Sequence, residues 1–261
     1  MLSSKAVKST AKMILKNNWT NSILICGIVI LAAAVFYMTA ALLDLPLGGF
    51  SGIILLASYI FVVSPLCLGA LHCFWCMANE IKVYPVETFY YFTHFSLYLR
   101  AVAFTLKITA RIVLFTLLFF TPYLIATAFT SEYFYETLNM ATPIWILGIT
   151  PILYILKFSG FAFSCTYTMG LMLPAFLLVT KEDMSVGNCI KYGINVGKRF
   201  KGNFAGVTLS FVGYILLSLL FVPLLLTAPY LSVSYIVTCR FAVAQYNFSV
   251  DKANEIPTLE I

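Results

Sequence analysis

Positive charge lies on one side of this chain's long apolar runs, and that layout constrains the fold more than any motif does. Of sixteen Lys and Arg, none falls in 44–51, 130–142 or 223–228, the short segments between successive runs. Those segments carry Asp44, Glu132 and Glu136 instead. Bases collect in the N-terminal stretch, in 77–107 and in 181–203. Short loops rich in Lys and Arg stay in the cytoplasm, so the bias predicts both termini inside and an even number of membrane crossings.

The runs are too long for a water-soluble core. Asn21–Leu43 is uncharged over 23 residues and Ser51–Asn79 over 29, and about 20 helical residues span the hydrocarbon layer. Charged residues make up only 10% of the chain and its mean hydropathy is +0.95, which leaves too little polar surface for a soluble domain, where about 25% is usual. The expected fold is all-α: a polytopic membrane helical bundle of six transmembrane helices in three hairpins, with cytoplasmic amphipathic helices. The spans fall at about 21–43, 52–76, 108–129, 158–179, 204–222 and 229–247, the last pair turning between Pro223 and Pro229. Residues 143–156, with Pro143, Trp145 and Pro151, form a re-entrant or interfacial piece, because 143–180 is too long for one crossing and has no room for a turn at Lys157. Residues 248–261 are a polar, disordered cytoplasmic tail.

Residues 1–20 form a separate basic segment. Lys5, Lys8, Lys12 and Lys16 recur on one helical stripe, with Val7, Ala11 and Ile14 opposite. Such a helix suits an anionic leaflet, where each Lys contributes roughly 1 kcal/mol, and Trp19 follows at the boundary as an interfacial aromatic. A second basic helix over 184–200 carries Lys191, Lys198 and Arg199, with Lys201 just beyond, and an apolar stripe of Val186, Ile190 and Ile194. A third, aromatic interfacial helix is expected over 84–100. One such helix ahead of each pair of spans suggests three helix-plus-hairpin units.

Residues Leu209-Ser210-Phe211-Val212-Gly213-Tyr214, then Pro229-Tyr230 and Tyr246, resemble the bacterial integral membrane family "domain of unknown function 975". Tyr167-Thr168-Met169, the basic Gly197–Gly202 stretch and the opening with Ala11, Leu15 and Asn18-Trp19 are similar to the same family. Tyr214 stands where that family usually has Trp. The resemblance implies a multi-span protein of a bacterial cytoplasmic membrane. It implies no catalytic residue and no substrate.

Lys107, Arg111, Lys157 and Arg240 lie in or beside apolar runs, while no Asp or Glu lies inside a span. Intramembrane charges are functional hypotheses by default. Bases without acids suit an anion or a lipid headgroup, and the alternative for each is snorkelling to the interface. His72 with Cys73-Phe74-Trp75-Cys76 is read as helix packing at the membrane edge, since a structural zinc site needs four ligands. Gly48/Gly52, Gly193/Gly197 and Gly202/Gly206 are read as chance spacings and turn formers. No phosphate-binding glycine loop, nucleophile elbow or metalloprotease motif occurs, so no enzyme, cofactor, metal site or nucleic-acid partner is expected. The function expected is an accessory, scaffold or regulatory membrane component on an anionic inner leaflet, with a partner membrane subunit or a homo-oligomer in view. The alternative is a small transporter or lipid- and anion-handling protein.

Overall fold

The computed structural model describes residues 4–47, 51–130, 152–160, 171–217 and 221–254. The described residues are helical or lie in short turns, with no strand among them. Contacts divide the chain into two compact units, Met1–Leu106 with Gly170–Ile261, and Lys107–Met169. Four described helices are long and apolar enough to cross a membrane: Trp19–Leu42, Gly52–Ala78, Phe95–Ala128 and Pro223–Ser249.

In the first unit, α1 (Ser4–Leu15) leads through a turn into α2 (Trp19–Leu47). The return leg is α3 (Ser51–Ser58), a π-helical turn over Tyr59–Val63, and α4 (Ser64–Ala78). Pro65 explains that turn. It has no N–H to give the carbonyl of Phe61 one helical turn back, and the hydroxyl of Tyr98 donates to that carbonyl instead at 3.1 Å. The proline is tolerated because a neighbouring segment satisfies the freed group.

α4 closes in a Schellman motif. Ile81 N–H donates to Cys76 O at 3.0 Å and Glu80 N–H to Met77 O at 3.1 Å, with Glu80 in the left-handed region at φ 61°. The chain then folds back as a 3₁₀ segment, Pro85–Phe92, against α4. Gly69 permits the close approach, since a Cβ there would sit 1.9 Å from the carbonyl oxygen of Thr88.

That segment differs from expectation. Residues 84–100 are not one interfacial α-helix: Tyr84 is extended, as a residue before proline tends to be, and a tight 3₁₀ run follows. α5 begins at Phe95 and runs to Thr130 as one helix, so no break separates the end of the expected interfacial helix from the expected span at about 108–129. The three lead-in pieces therefore differ in kind, and the expected three-fold repeat is not reproduced.

Later in the first unit, α7 (Met172–Thr180) packs on α8 (Val186–Ser210). Gly193 allows this, because a Cβ there would lie 2.6 Å from the backbone nitrogen of Pro174. The pair Gly193/Gly197 is thus no chance spacing at its first member. Ser185 caps α8, accepting from the Asn188 N–H, and the helix kinks at Phe200.

After α9 (Val212–Leu217) comes α10 (Phe221–Asn254). The turn expected over 223–228 is overturned: those residues are helical and both prolines lie inside α10. Pro223 falls in the first turn, where an N–H has no intrahelical partner to lose. α10 continues in helical form through 248–254, where the expected tail begins. It runs antiparallel to α8 and α9, as the ring contacts Tyr192–Tyr246, Phe204–Tyr235 and Phe211–Tyr230 show.

In the second unit, residues 152–160 form α6, and Gly160 brings it against the carbonyl of Phe119 on α5. The loop with Glu132 and Glu136, most of 143–156, residues 161–170 of the fourth expected span and residues 255–261 lie outside the described residues.

Candidate functional site: a basic aromatic cleft

α1 packs by its apolar face on the α8–α10 hairpin rather than leaving that face free. Val7, Ala11 and Leu15 are buried, and Val7 joins a small core with Val207 and Phe211. Leu15 rather than Ile14 completes the stripe, at i, i+4, i+8.

Lys8 is drawn in with it. Its ammonium donates to the carbonyl of Ser210 and sits 4.5 Å from the ring centroid of Phe211 and 5.5 Å from that of Tyr214. A cation so placed over aromatic faces gains roughly 0.5–2 kcal/mol, depending on desolvation.

One helical turn further, Lys12, Trp19, Tyr214, Leu226, Thr227 and Tyr230 line a half-open cleft of about 210 Å³. The Tyr230 hydroxyl donates to the Lys8 carbonyl at 3.4 Å, and the other donors are uncommitted. The Lys12 ammonium, Trp19 indole N–H, Tyr214 hydroxyl and Thr227 hydroxyl have no hydrogen-bond partner among the described residues. Thr227 is only 7% exposed. Ser234 and Thr238, buried further along α10, donate instead to the carbonyls four residues earlier. Among the described residues no carboxylate lines the cleft.

The residues singled out in the sequence lie elsewhere or play other parts. Lys107 and Arg111 stand one helical turn apart on α5, both exposed. Lys157 is exposed and borders an open depression of about 410 Å³ with Phe120, Tyr154 and Phe158. Arg240 is exposed, with its guanidinium 5.8 Å from the Trp75 ring. Lys5, Lys12, Lys16, Lys191, Lys198, Arg199 and Lys201 all face outward. Arg199 also lies 5.4 Å from the Tyr246 ring and donates to the Ser249 hydroxyl at 3.3 Å. Cys73 is buried, and the Cys76 sulfur lies 3.8 Å from His72 Nε2.

Sequence reasoning missed the cleft. Trp19 was visible as an interfacial aromatic, and Tyr214 and Pro229-Tyr230 as motif residues. Nothing local joins Lys12 to Thr227, because their meeting depends on α1 docking on the last hairpin.

A second polar cluster fastens α7 and α8 to α4 and α5. Arg100 donates to the carbonyls of Lys181, Glu182 and Met184. A cation belongs there, at the negative end of α7. Tyr90 donates to Glu182 Oε1 and stacks on His72 at 4.2 Å between ring centroids. Burial, with the neighbouring Glu182 carboxylate, pushes the Tyr90 phenol up to about 12. Burial also raises Tyr91 and the Cys189 thiol.

Compared with known proteins, the chain matches no family model, no curated protein and no solved structure.

Proposed function

We propose that this chain is a non-enzymatic, multi-pass component of a bacterial cytoplasmic membrane, a scaffold or accessory subunit that presents a basic helical platform to the anionic inner leaflet. One observation carries the reading. The apolar faces of both basic helices are used up inside the protein, through Val7, Ala11 and Leu15 on α1 and through Cys189, Ile190, Gly193 and Val196 on α8. Their bases, apart from Lys8, point outward. A peripheral amphipathic helix would instead bury its apolar face in the headgroup boundary. Here the lysines can act as an electrostatic surface of fixed shape, each worth roughly 1 kcal/mol near an anionic leaflet.

The bacterial setting rests on the sequence resemblance, and cytoplasmic termini rest on the charge bias. Our reading departs from the six-span count in one respect. That count sets Lys12 and Trp19 inside and Leu226 at an outer turn, yet these residues line one cleft, and about 30 Å of hydrocarbon cannot separate them. In our reading the end of α8, α9 and the start of α10, with Leu209, Leu217 and Leu226 exposed, enter the bilayer from the cytoplasmic side without crossing it. Non-helical or returning segments are tolerated at that depth where protein covers them.

The platform is tested by extraction into native-lipid nanodiscs and mass spectrometry of the lipids. The wild type should be enriched in anionic phospholipid over the bulk membrane. Replacing Lys5, Lys16, Lys191, Lys198 and Lys201 together by Gln should remove most of that enrichment. Bulk lipid composition around both forms would defeat the reading. For the re-entrant tip, a Leu226→Cys variant in a background stripped of native cysteines should stay unlabelled by an impermeant maleimide added outside intact cells. Labelling of intact cells from outside would restore the full crossing.

A further inference from the structure

We infer that the cleft between α1 and the α9–α10 tip binds a phosphate ester, held by the Lys12 ammonium, the Trp19 indole N–H and the Thr227 hydroxyl. The inference goes beyond the platform reading and does not rest on it.

Three features point to an anion. Among the described residues the cleft is lined by a cation and by donors with no partner, no carboxylate lines it, and a second cation, Lys8, lies 5.5 Å from the ring of the wall residue Tyr214. Thr227 gives the strongest indication. A serine or threonine buried in a helix ordinarily donates to the carbonyl four residues back, as Ser234 and Thr238 do. Thr227 lies on the same helix, is more than nine-tenths buried, and makes no such bond. Its hydroxyl is left for whatever occupies the cleft.

Shape and donor count narrow the class. At about 210 Å³ the cleft is smaller than the roughly 300–1,000 Å³ of drug-sized pockets, so it takes a compact group. Lys12, Trp19, Tyr214 and Thr227 approach from four helices, α1, α2, α9 and α10. A phosphate ester, with several strong acceptor oxygens in a tetrahedral array, can engage donors from that many directions at once. A planar carboxylate offers two oxygens. Leu226 and the ring of Tyr230 supply apolar wall for the ester's alcohol portion. The group can come from a phospholipid headgroup at the interface or from a small soluble phosphate.

Calorimetric titration of the full chain in detergent tests this with three probes: inorganic phosphate, a short-chain phosphatidylglycerol, and the neutral diacylglycerol of the same chain length. Saturable binding of at least one phosphate-bearing probe is expected, with none of the diacylglycerol. Binding of the phospholipid alone identifies a headgroup site, whereas equal binding of inorganic phosphate identifies a site for the free group. Thr227→Val, which keeps the shape, and Lys12→Ala, which alters an exposed residue, should each weaken binding about tenfold or more. Lys5→Ala, on the same helix outside the cleft, should stay within about twofold. The inference is overturned if neither phosphate probe saturates, if diacylglycerol binds as well as phospholipid, or if Lys12→Ala binds like wild type. Lys12 and Thr227 are absent from the five-lysine platform variant, so either reading can fail alone.

Discussion

The first hairpin holds two regions of similar apolarity and opposite fate. Along α2 beyond Cys26, and along α3, large side chains face outward: Leu31, Val35, Met38, Leu42, Ile53 and Leu56 are each at least half exposed. Along α4, Leu66, Cys73, Phe74 and Met77 are almost completely enclosed by the 3₁₀ segment, α7 and α10. The stretch of α2 from residue 27 to 42, in which Ala40 is buried but the large side chains face mostly outward, is roughly 24 Å long at 1.5 Å per residue, most of the thickness of the hydrocarbon layer. In lipid, an apolar surface gains little by leaving its solvent, so hydrophobicity alone does not decide which face is covered. Small and polar residues do. Gly69 admits the Thr88 backbone, Ser22 meets the Met77 sulfur at 3.4 Å, and Ser64 meets Thr105 at 2.6 Å.

The comparison breaks if the two regions respond alike to truncation. Phe74→Ala should cost about 3–5 kcal/mol, while Leu31→Ala should stay within about 0.5 kcal/mol; thermal unfolding in nanodiscs measures both. Glycine substitutions sharpen the same contrast at smaller amplitude. Gly69→Ala forces a methyl onto the Thr88 carbonyl and should cost about 1–3 kcal/mol. Gly27, with open space around it, should accept alanine with a slight gain, of about 1 kcal/mol at most. If Gly69→Ala unfolds no earlier than Gly27→Ala, the close approach is not what holds the enclosed half together.

The smallest effect is a pH dependence confined to the enclosed half. The Tyr90 phenol is raised to about 12 in the fold, against about 10 in an unfolded chain. The neutral phenol is therefore the form the fold favours. Its contribution is complete below about pH 10 and is lost as pH rises through 12. Melting temperature should fall across that window, and Tyr90→Phe should flatten the fall. An unchanged slope in the variant would assign the alkaline loss to other groups, Tyr91 first among them.

Local rules carried the reading as far as local causes reach. The first two spans, the basic stripe of α1 and the tolerance of Pro65 all follow from run length, helical spacing and the need to satisfy backbone groups. The prolines at 223 and 229 misled for physical reasons: proline marks a turn, but it also suits a helix start, as at 223, and is tolerated inside a membrane helix, as at 229. The break at Tyr84-Pro85 was legible in principle, because proline restricts the residue before it, but the aromatic density of 89–98 favoured a helix. The cleft was illegible in any window. Lys12 and Thr227 are brought together by the docking of α1, whose energy comes from Val7, Ala11 and Leu15 meeting residues some two hundred positions away.

That separation sets an order of events during synthesis. Lys8 and Ser210 are 202 positions apart, and at about 5–20 residues per second the ribosome needs on the order of 10–40 s to supply the partner. For that interval α1 exists with its apolar face uncovered. The leaflet-binding helix read from its sequence is then a description of the nascent chain, and the docked helix is a description of the finished one. The lysine stripe would hold α1 against the inner leaflet until the last hairpin arrives to take its other face.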